Sequence, residues 1–203
     1  MIDQRIYEQF REIGRDMYLD RLVSSHGGNL SIRFGDRVII KRRGAMLGRL
    51  KPHDLIETGL EKNDSGVALA STELIVHRAI YQATPALAVV HAHPRTAIAF
   101  SLSRDEIVPV DNEGSYLLKK IPVVAVEMAS GSREMARTVA EVLKEYKVVM
   151  LRGHGSFAIG QTLDEAFLWT STLEECSQII LAALLIDEPF IEYRRMSEDY
   201  DKW

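Results

Sequence analysis

The stretch Ala86-Leu87-Ala88-Val89-Val90-His91-Ala92-His93-Pro94 decides how the chain is read. Its apolar run is short and ends at a proline, which cannot continue a ladder, so it reads as a buried strand. Two of its last residues are histidines, His91 and His93. Residues i and i+2 of a strand project to the same face, so both imidazoles can meet one ion. A second short apolar run, Val148 to Leu151, leads into Gly153-His154-Gly155. Glycines on both sides let the backbone turn sharply and present that ring. Three neutral imidazoles with an open fourth position suit a catalytic metal of the zinc type.

The bland alternative is that His91 and His93 are polar residues at a strand end. Other folds that use His-x-His fit poorly. A metallo-β-lactamase-like site needs Asp and His directly after the pair, where this chain has Pro94-Arg95-Thr96; a cupin-like site needs a Glu a few residues on, and the next is Glu106. An amidohydrolase barrel needs a longer chain.

Working outward, Ile2, Ile6, Phe10, Ile13, Met17 and Leu22 recur at helical spacing, and the pattern breaks at Ser24 to Gly28. Asn29 to Phe34 and Arg37 to Lys41, separated by Gly35-Asp36, predict a hairpin. Arg42 to Leu60 reads as loop with one short helical turn. Ser71 and Thr72 precede a helix through Ala83, and either hydroxyl would serve as its N-cap. Further on come a helix from Arg95 to about Ser101, strands over Ile107 to Val110 and Ile121 to Val126, a helix from Ser132 to Tyr146, and a long helix from Leu163 to about Ile186. The expectation is a single α/β domain over 1–203, with a mostly polar C-terminal tail, 193–203, that either folds over a neighbouring subunit or is mobile.

The chain has 203 residues, 46% hydrophobic and 27% charged, an ordinary globular balance. One cysteine, Cys176, rules out an internal disulfide and suits a reducing compartment. A net charge of −4 argues against a general nucleic-acid binder. The longest apolar run, Ile179 to Ile186, falls far short of the roughly 20 residues that span a bilayer. A cytoplasmic location with neither nucleic-acid nor membrane partner is expected.

Ser71-Thr72-Glu73 places two hydroxyls and a carboxylate where a helix start offers unpaired N–H groups and positive potential, a ready anion site. Glu73 either stabilises the helix dipole or acts as a general base beside a metal, and spacing alone leaves both open. The turns at Gly27-Gly28-Asn29 and Arg43-Gly44 can present further N–H groups to an anion. Lys41-Arg42-Arg43 is a basic run in an acidic chain, read by itself as a solvated loop. His26 and His53 lie in polar turns. His77, one helical turn after Glu73, reads as a half-buried histidine with its hydrogen bonds satisfied, or else as a partner behind the metal.

Taken in order, Gly28-Asn29-Leu30-Ser31, the Gly44 turn, Ser71-Thr72-Glu73, His91-Ala92-His93 and Gly153-His154-Gly155 resemble the class II aldolase/adducin family, and most closely its fuculose-phosphate aldolase branch. The resemblance covers nearly the whole chain. It implies a three-layer α/β/α sandwich around a central mixed sheet, assembled as a homotetramer with sites at subunit interfaces. It further implies a divalent metal, most often Zn²⁺, on His91, His93 and His154. Glu73 would be the catalytic acid/base and also a metal ligand when no substrate is bound. Gly28, Asn29, Gly44, Ser71 and Thr72 match positions that bind a substrate phosphate. The implied reaction cleaves a small ketose 1-phosphate to dihydroxyacetone phosphate and an aldehyde. Two departures stand out. Lys41-Arg42-Arg43 replaces a threonine-rich turn, so Arg43 would bind phosphate or a carboxylate. Glu113 stands near where these aldolases carry a tyrosine, with Tyr116 close by, and is a candidate substrate contact. Tyr193 or Tyr200 would supply a second such tyrosine to a neighbour. The alternatives are a decarboxylase, dehydratase or 4-epimerase of the same family, or a non-catalytic adducin-like interaction domain, which would lack the metal histidines.

Overall fold

A computed structural model describes residues 2–128, 130–186 and 188–193. The helices are α1 (Gln4–Leu19), α2 (Leu74–Ala83), α3 (Arg95–Ser101), α4 (Asn112–Leu118), α5 (Arg133–Val142) and α6 (Leu163–Ile186). The strands are β1 (Asn29–Phe34), β2 (Arg37–Lys41), β3 (Leu55–Gly59), β4 (Ala88–Ala92), β5 (Glu106–Ile107), β6 (Ile121–Val124), β7 (Val148–Leu151) and β8 (Gly155–Gly160). They form one sheet in the order β3-β2-β1-β4-β8-β7-β6-β5. It is mixed, since β6 and β7 run parallel while the other neighbours are antiparallel.

Alternation along the strands sorts side chains onto two faces. Val38, Ile40, Val89, Val149, Leu151 and Phe157 join α2 and α5 in one core. Ile39, Val90 and Ala88 turn the other way, onto α1 and the start of α6. Val148, Met150 and Ala158 meet α3 and the rest of α6 on that same second face. Helices therefore cover both faces, giving the expected three layers.

The hairpin of β1 and β2 forms with the predicted bounds, Gly35 taking the left-handed conformation at its turn (φ 56°). The expected helix at Arg95 and the long helix at Leu163 also form. Four expectations are corrected. The segment read as loop contains β3, an edge strand whose alternation is hidden between Pro52 and Gly59. β8, which no local pattern announces, is a short glycine-bounded run that becomes a strand by pairing with both β4 and β7. The strand expected over 107–110 is confined to Glu106–Ile107, and Asp111 caps α4 by accepting from the Gly114 amide at 2.8 Å. At α2, Glu73 rather than Ser71 or Thr72 is the N-cap; Ser71 Oγ accepts from the Glu73 amide at 3.3 Å. Of the expected tail only Tyr193 lies within the described residues, and Tyr200 lies outside them.

Candidate metal centre

The register of the central strands builds this site. Asn29 on β1 pairs with His91 on β4, which pairs with Phe157 on β8. Directly opposed residues share a face, and here it is the face covered by α2. The His91 ring stacks on Phe157, with centroids 4.2 Å apart and planes 19° apart. Its Nδ1 donates to the Ser156 carbonyl at 2.9 Å, which leaves a lone pair on Nε2. His93 stands one residue beyond the end of β4, and its amide donates to the Leu22 carbonyl at 2.7 Å. His154 sits in the turn from β7 to β8, its amide donating to the Leu151 carbonyl at 3.0 Å.

The three rings face one another. His93 Nε2 lies 3.0 Å from His91 Nε2, and one ligand atom from each of the three residues lies within 4.8 Å of the others. The Glu73 carboxylate comes in from the start of α2, Oε2 at 3.1 Å from His91 Nε2 and Oε1 at 3.6 Å from His154 Nε2. Asn29 Nδ2 donates to that same Oε2 at 2.9 Å.

Two glycines make this approach possible. Gly28 has φ 70°, and a Cβ there would lie 2.8 Å from the His91 carbonyl oxygen. At Gly155 a Cβ would strike the Ala92 carbonyl and come within 2.8 Å of His93 Cδ2.

Burial holds His91 neutral, well below the usual histidine range, and its neighbours His93 and His154 push in the same direction. His93 is lowered as well, first by burial and then by His154. The short approach of His91 to Glu73 is therefore not an ion pair. The Nε2 lone pair of neutral His91 faces the Glu73 carboxyl group inside the protein. A divalent cation held here would engage these facing groups together. The donor set fits: three imidazoles with a carboxylate suit zinc and neighbouring divalent metals.

Beside the centre, three backbone segments come together. Arg42 bridges Ala70, the Arg43 amide donates to the Leu69 carbonyl at 2.9 Å and the Ser71 amide to the Lys41 carbonyl at 3.1 Å, so the Gly44 turn lies against Ser71-Thr72. Lys41 is 3% exposed, and its Nζ donates to the carbonyls of His26 (3.1 Å) and Gly28 (2.9 Å). The solvated reading thus fails for Lys41, which pins the Gly27-Gly28 turn to β2. Burial lowers its ammonium to about 8, with Glu73 and Asp54 acting in the opposite direction. Arg43, Gly44 and Thr72 are exposed beside this junction.

Glu113 is exposed on the first turn of α4 and lines a cavity of about 280 Å³ against Leu168, Glu175 and Ile179 of α6. The three histidines are not among the residues lining that cavity. His77 departs from the half-buried expectation. It is fully buried, its Nδ1 is 2.6 Å from Ser31 Oγ, and its Nε2 has no hydrogen-bond partner among the described residues. His26 and His53 are exposed, as expected. Sequence reasoning missed Ser156 and Phe157, because it missed β8 itself, and it missed the buried role of Lys41. The alternation Arg37-Val38-Ile39-Ile40-Lys41 is the available signal for Lys41, since it continues the strand.

Residues 8–181 match the family model of the class II aldolase and adducin N-terminal domain. The chain belongs to that family. An L-fuculose phosphate aldolase of Methanocaldococcus jannaschii is 31% identical over 180 residues, covering 88% of this chain and 97% of that protein. The L-fuculose phosphate aldolase of Escherichia coli is 30% identical over 168 residues, 80% of this chain and 76% of that one. The crystal structure of L-fuculose-1-phosphate aldolase from Thermus thermophilus superposes with a TM-score of 0.87 at 40% identity, over 93% of this chain and all of that one. Membership in the class II aldolase family supports a lyase that uses a divalent metal, and the histidine cluster sits where such an ion could be held. Among the described residues of this chain, no helix is long and apolar enough to cross a membrane.

Proposed function

We propose that this chain is a metal-dependent aldolase, cleaving a small ketose 1-phosphate to dihydroxyacetone phosphate and an aldehyde in the manner of the fuculose-phosphate aldolases. The convergence of His91, His93 and His154 with the Glu73 carboxylate carries this reading. His91, His93 and His154 hold the cation, Zn²⁺ by preference, with Glu73 as a further ligand before substrate arrives. When bound, it supplies Lewis-acid stabilisation of the negative charge that carbon–carbon cleavage leaves on substrate oxygens. Glu73, steered by Asn29, moves the proton at the carbon that bears this charge. Gly28, Asn29, Gly44, Ser71 and Thr72 receive the phosphate, with Arg43 adding a cation at the rim. The protein works as a cytoplasmic homotetramer, with sites at subunit interfaces where Glu113 meets substrate.

The test is a panel of ketose 1-phosphates incubated with zinc-loaded protein, assayed for released dihydroxyacetone phosphate. Release from one member and none after chelation supports the reading. If loaded protein releases none from any member, the reaction is a different one. Exposed Arg43 beside Gly44 favours, as second reading, a decarboxylase of a phosphorylated sugar acid. Carbon dioxide release from such acids distinguishes it.

A further inference from the structure

His93 differs from the other two histidines in how it is held. His91 lies within the ladder and is braced by Ser156 and Phe157. His154 sits in a tight turn between paired strands. His93 stands where the chain leaves the sheet, followed at once by Pro94 and the short helix α3. Pro94 is the N-cap of α3 and offers no side-chain acceptor, so the first turn of that helix depends on some other group.

That group comes from 78 residues away. Glu174, in the middle of α6 and 7% exposed, accepts from the Thr96 amide at 3.1 Å on each oxygen. It also accepts from the fully buried Ala97 amide at 3.1 Å. Gln178 Nε2, one turn further along α6, donates to Oε1 at 3.1 Å. The Glu174 carboxylate thus ties the first turn of α3 to α6. With the Leu22 carbonyl holding the His93 amide in front, the backbone is clamped on both sides of that imidazole.

We propose that Glu174 is a positioning residue for the metal centre, setting where His93 presents its ring nitrogen through the first turn of α3. This rests on the reading that the three histidines hold a divalent cation. Groups hydrogen-bonded directly to metal ligands commonly contribute about 10- to 100-fold to metal affinity by fixing ligand orientation; Glu174 acts on His93 through the intervening backbone.

The experiment compares full-length wild type, Glu174→Gln, Glu174→Asp and Leu143→Ala. Leu143 is a buried residue of the α2 and α5 core, across the sheet from Glu174 and α6, and it serves as a control for general loss of stability. Zn²⁺ affinity is measured by chelator competition, ligand geometry by the visible absorption of the Co²⁺ form, and stability by Tm. Glu174→Gln keeps the side chain's size but loses one acceptor oxygen. It is expected to weaken Zn²⁺ by up to about tenfold, the low end for a group bonded directly to a ligand, and to change the Co²⁺ spectrum. Glu174→Asp, one methylene shorter with its charge retained, should fall between it and wild type, and it is read in the same way should Glu174→Gln fail to fold. Leu143→Ala should lose Tm with affinity and spectrum unchanged. Wild-type affinity and spectrum in both Glu174 variants would overturn the proposal alone, as would equal changes in Leu143→Ala. Wild type that takes up neither ion would overturn the metal reading and this proposal together.

Discussion

Asn29 donates its side-chain amide to Oε2 of Glu73 at 2.9 Å, joining the first residue of β1 to the residue that caps α2. This bond fixes the carboxylate against His91 while the amide oxygen, Asn29 Oδ1, is buried without a partner among the described residues. A hydrogen bond to a charged group contributes about 1.5–3 kcal/mol. Asn29→Ala is therefore expected to lower kcat/KM by about 10- to 100-fold, measured by steady-state kinetics on the substrate that the panel identifies.

Metal removal should separate the three histidines. One divalent ion per chain is expected by elemental analysis, and chelation should lower Tm. Restoring the ion to about a hundred times its Kd should add about 2.7 kcal/mol. His154→Ala, at a side chain 20% exposed, should remove that metal-linked gain with small effect on the metal-free protein. His91→Ala should destabilise the metal-free protein too, since it leaves a cavity beside Phe157.

The buried histidines give the metal-free protein a pH dependence of known sign. Burial lowers His77 from 6.5 to about 3, and it lowers His91 and His93 as well. The unfolded chain then binds more protons than the folded one below pH 6.5. The histidines' contribution is complete above that pH and is lost as pH drops from 6.5 towards 3. Each such group contributes a slope of about 1.4 kcal/mol per pH unit in its window. Urea titrations of chelated protein between about pH 8 and pH 5 should show the fall, and His77→Gln should flatten it by about one group's share.

Cys176 should be inert. It is 1% exposed, and burial, with Asp111 adding to it, pushes its thiol up to about 12. The thiolate is the reactive form. A disulfide reagent added to folded protein should label no thiol, and one per chain should react in denaturant.

Lys41→Met should act on the anion side of the site. It leaves the carbonyls of His26 and Gly28 without their donor, at about 1–3 kcal/mol for a buried acceptor. The turn that delivers Asn29 then loosens. The denaturant midpoint should fall, and KM should rise by a larger factor than kcat falls.

Which features are legible in the sequence follows from the range of the interactions behind them. The hairpin of β1 and β2 is readable because Gly35-Asp36 and the alternation on either side are local signals. The histidine pair is readable because strand geometry alone puts i and i+2 on one face. His154 is readable from its flanking glycines, one of which takes φ 67°. α6 is readable from a long apolar pattern that ends before Pro189.

Other features need the folded chain. β8 is a strand because β4 and β7 flank it. Lys41 looks like part of a solvated basic run, yet its ammonium is buried against carbonyls 13 and 15 residues away. The neutral state of His91 comes from enclosure by neighbours on several elements. Composition, turn chemistry and periodicity act within a few residues, so the order of amino acids is enough to point to candidate residues and the local frame each sits on. Burial, register and the partners that hold each ring depend on contacts between distant segments. Those contacts alone bring Glu73, Asn29 and three imidazoles together, and they alone carry Glu174 to the Thr96 amide 78 residues away.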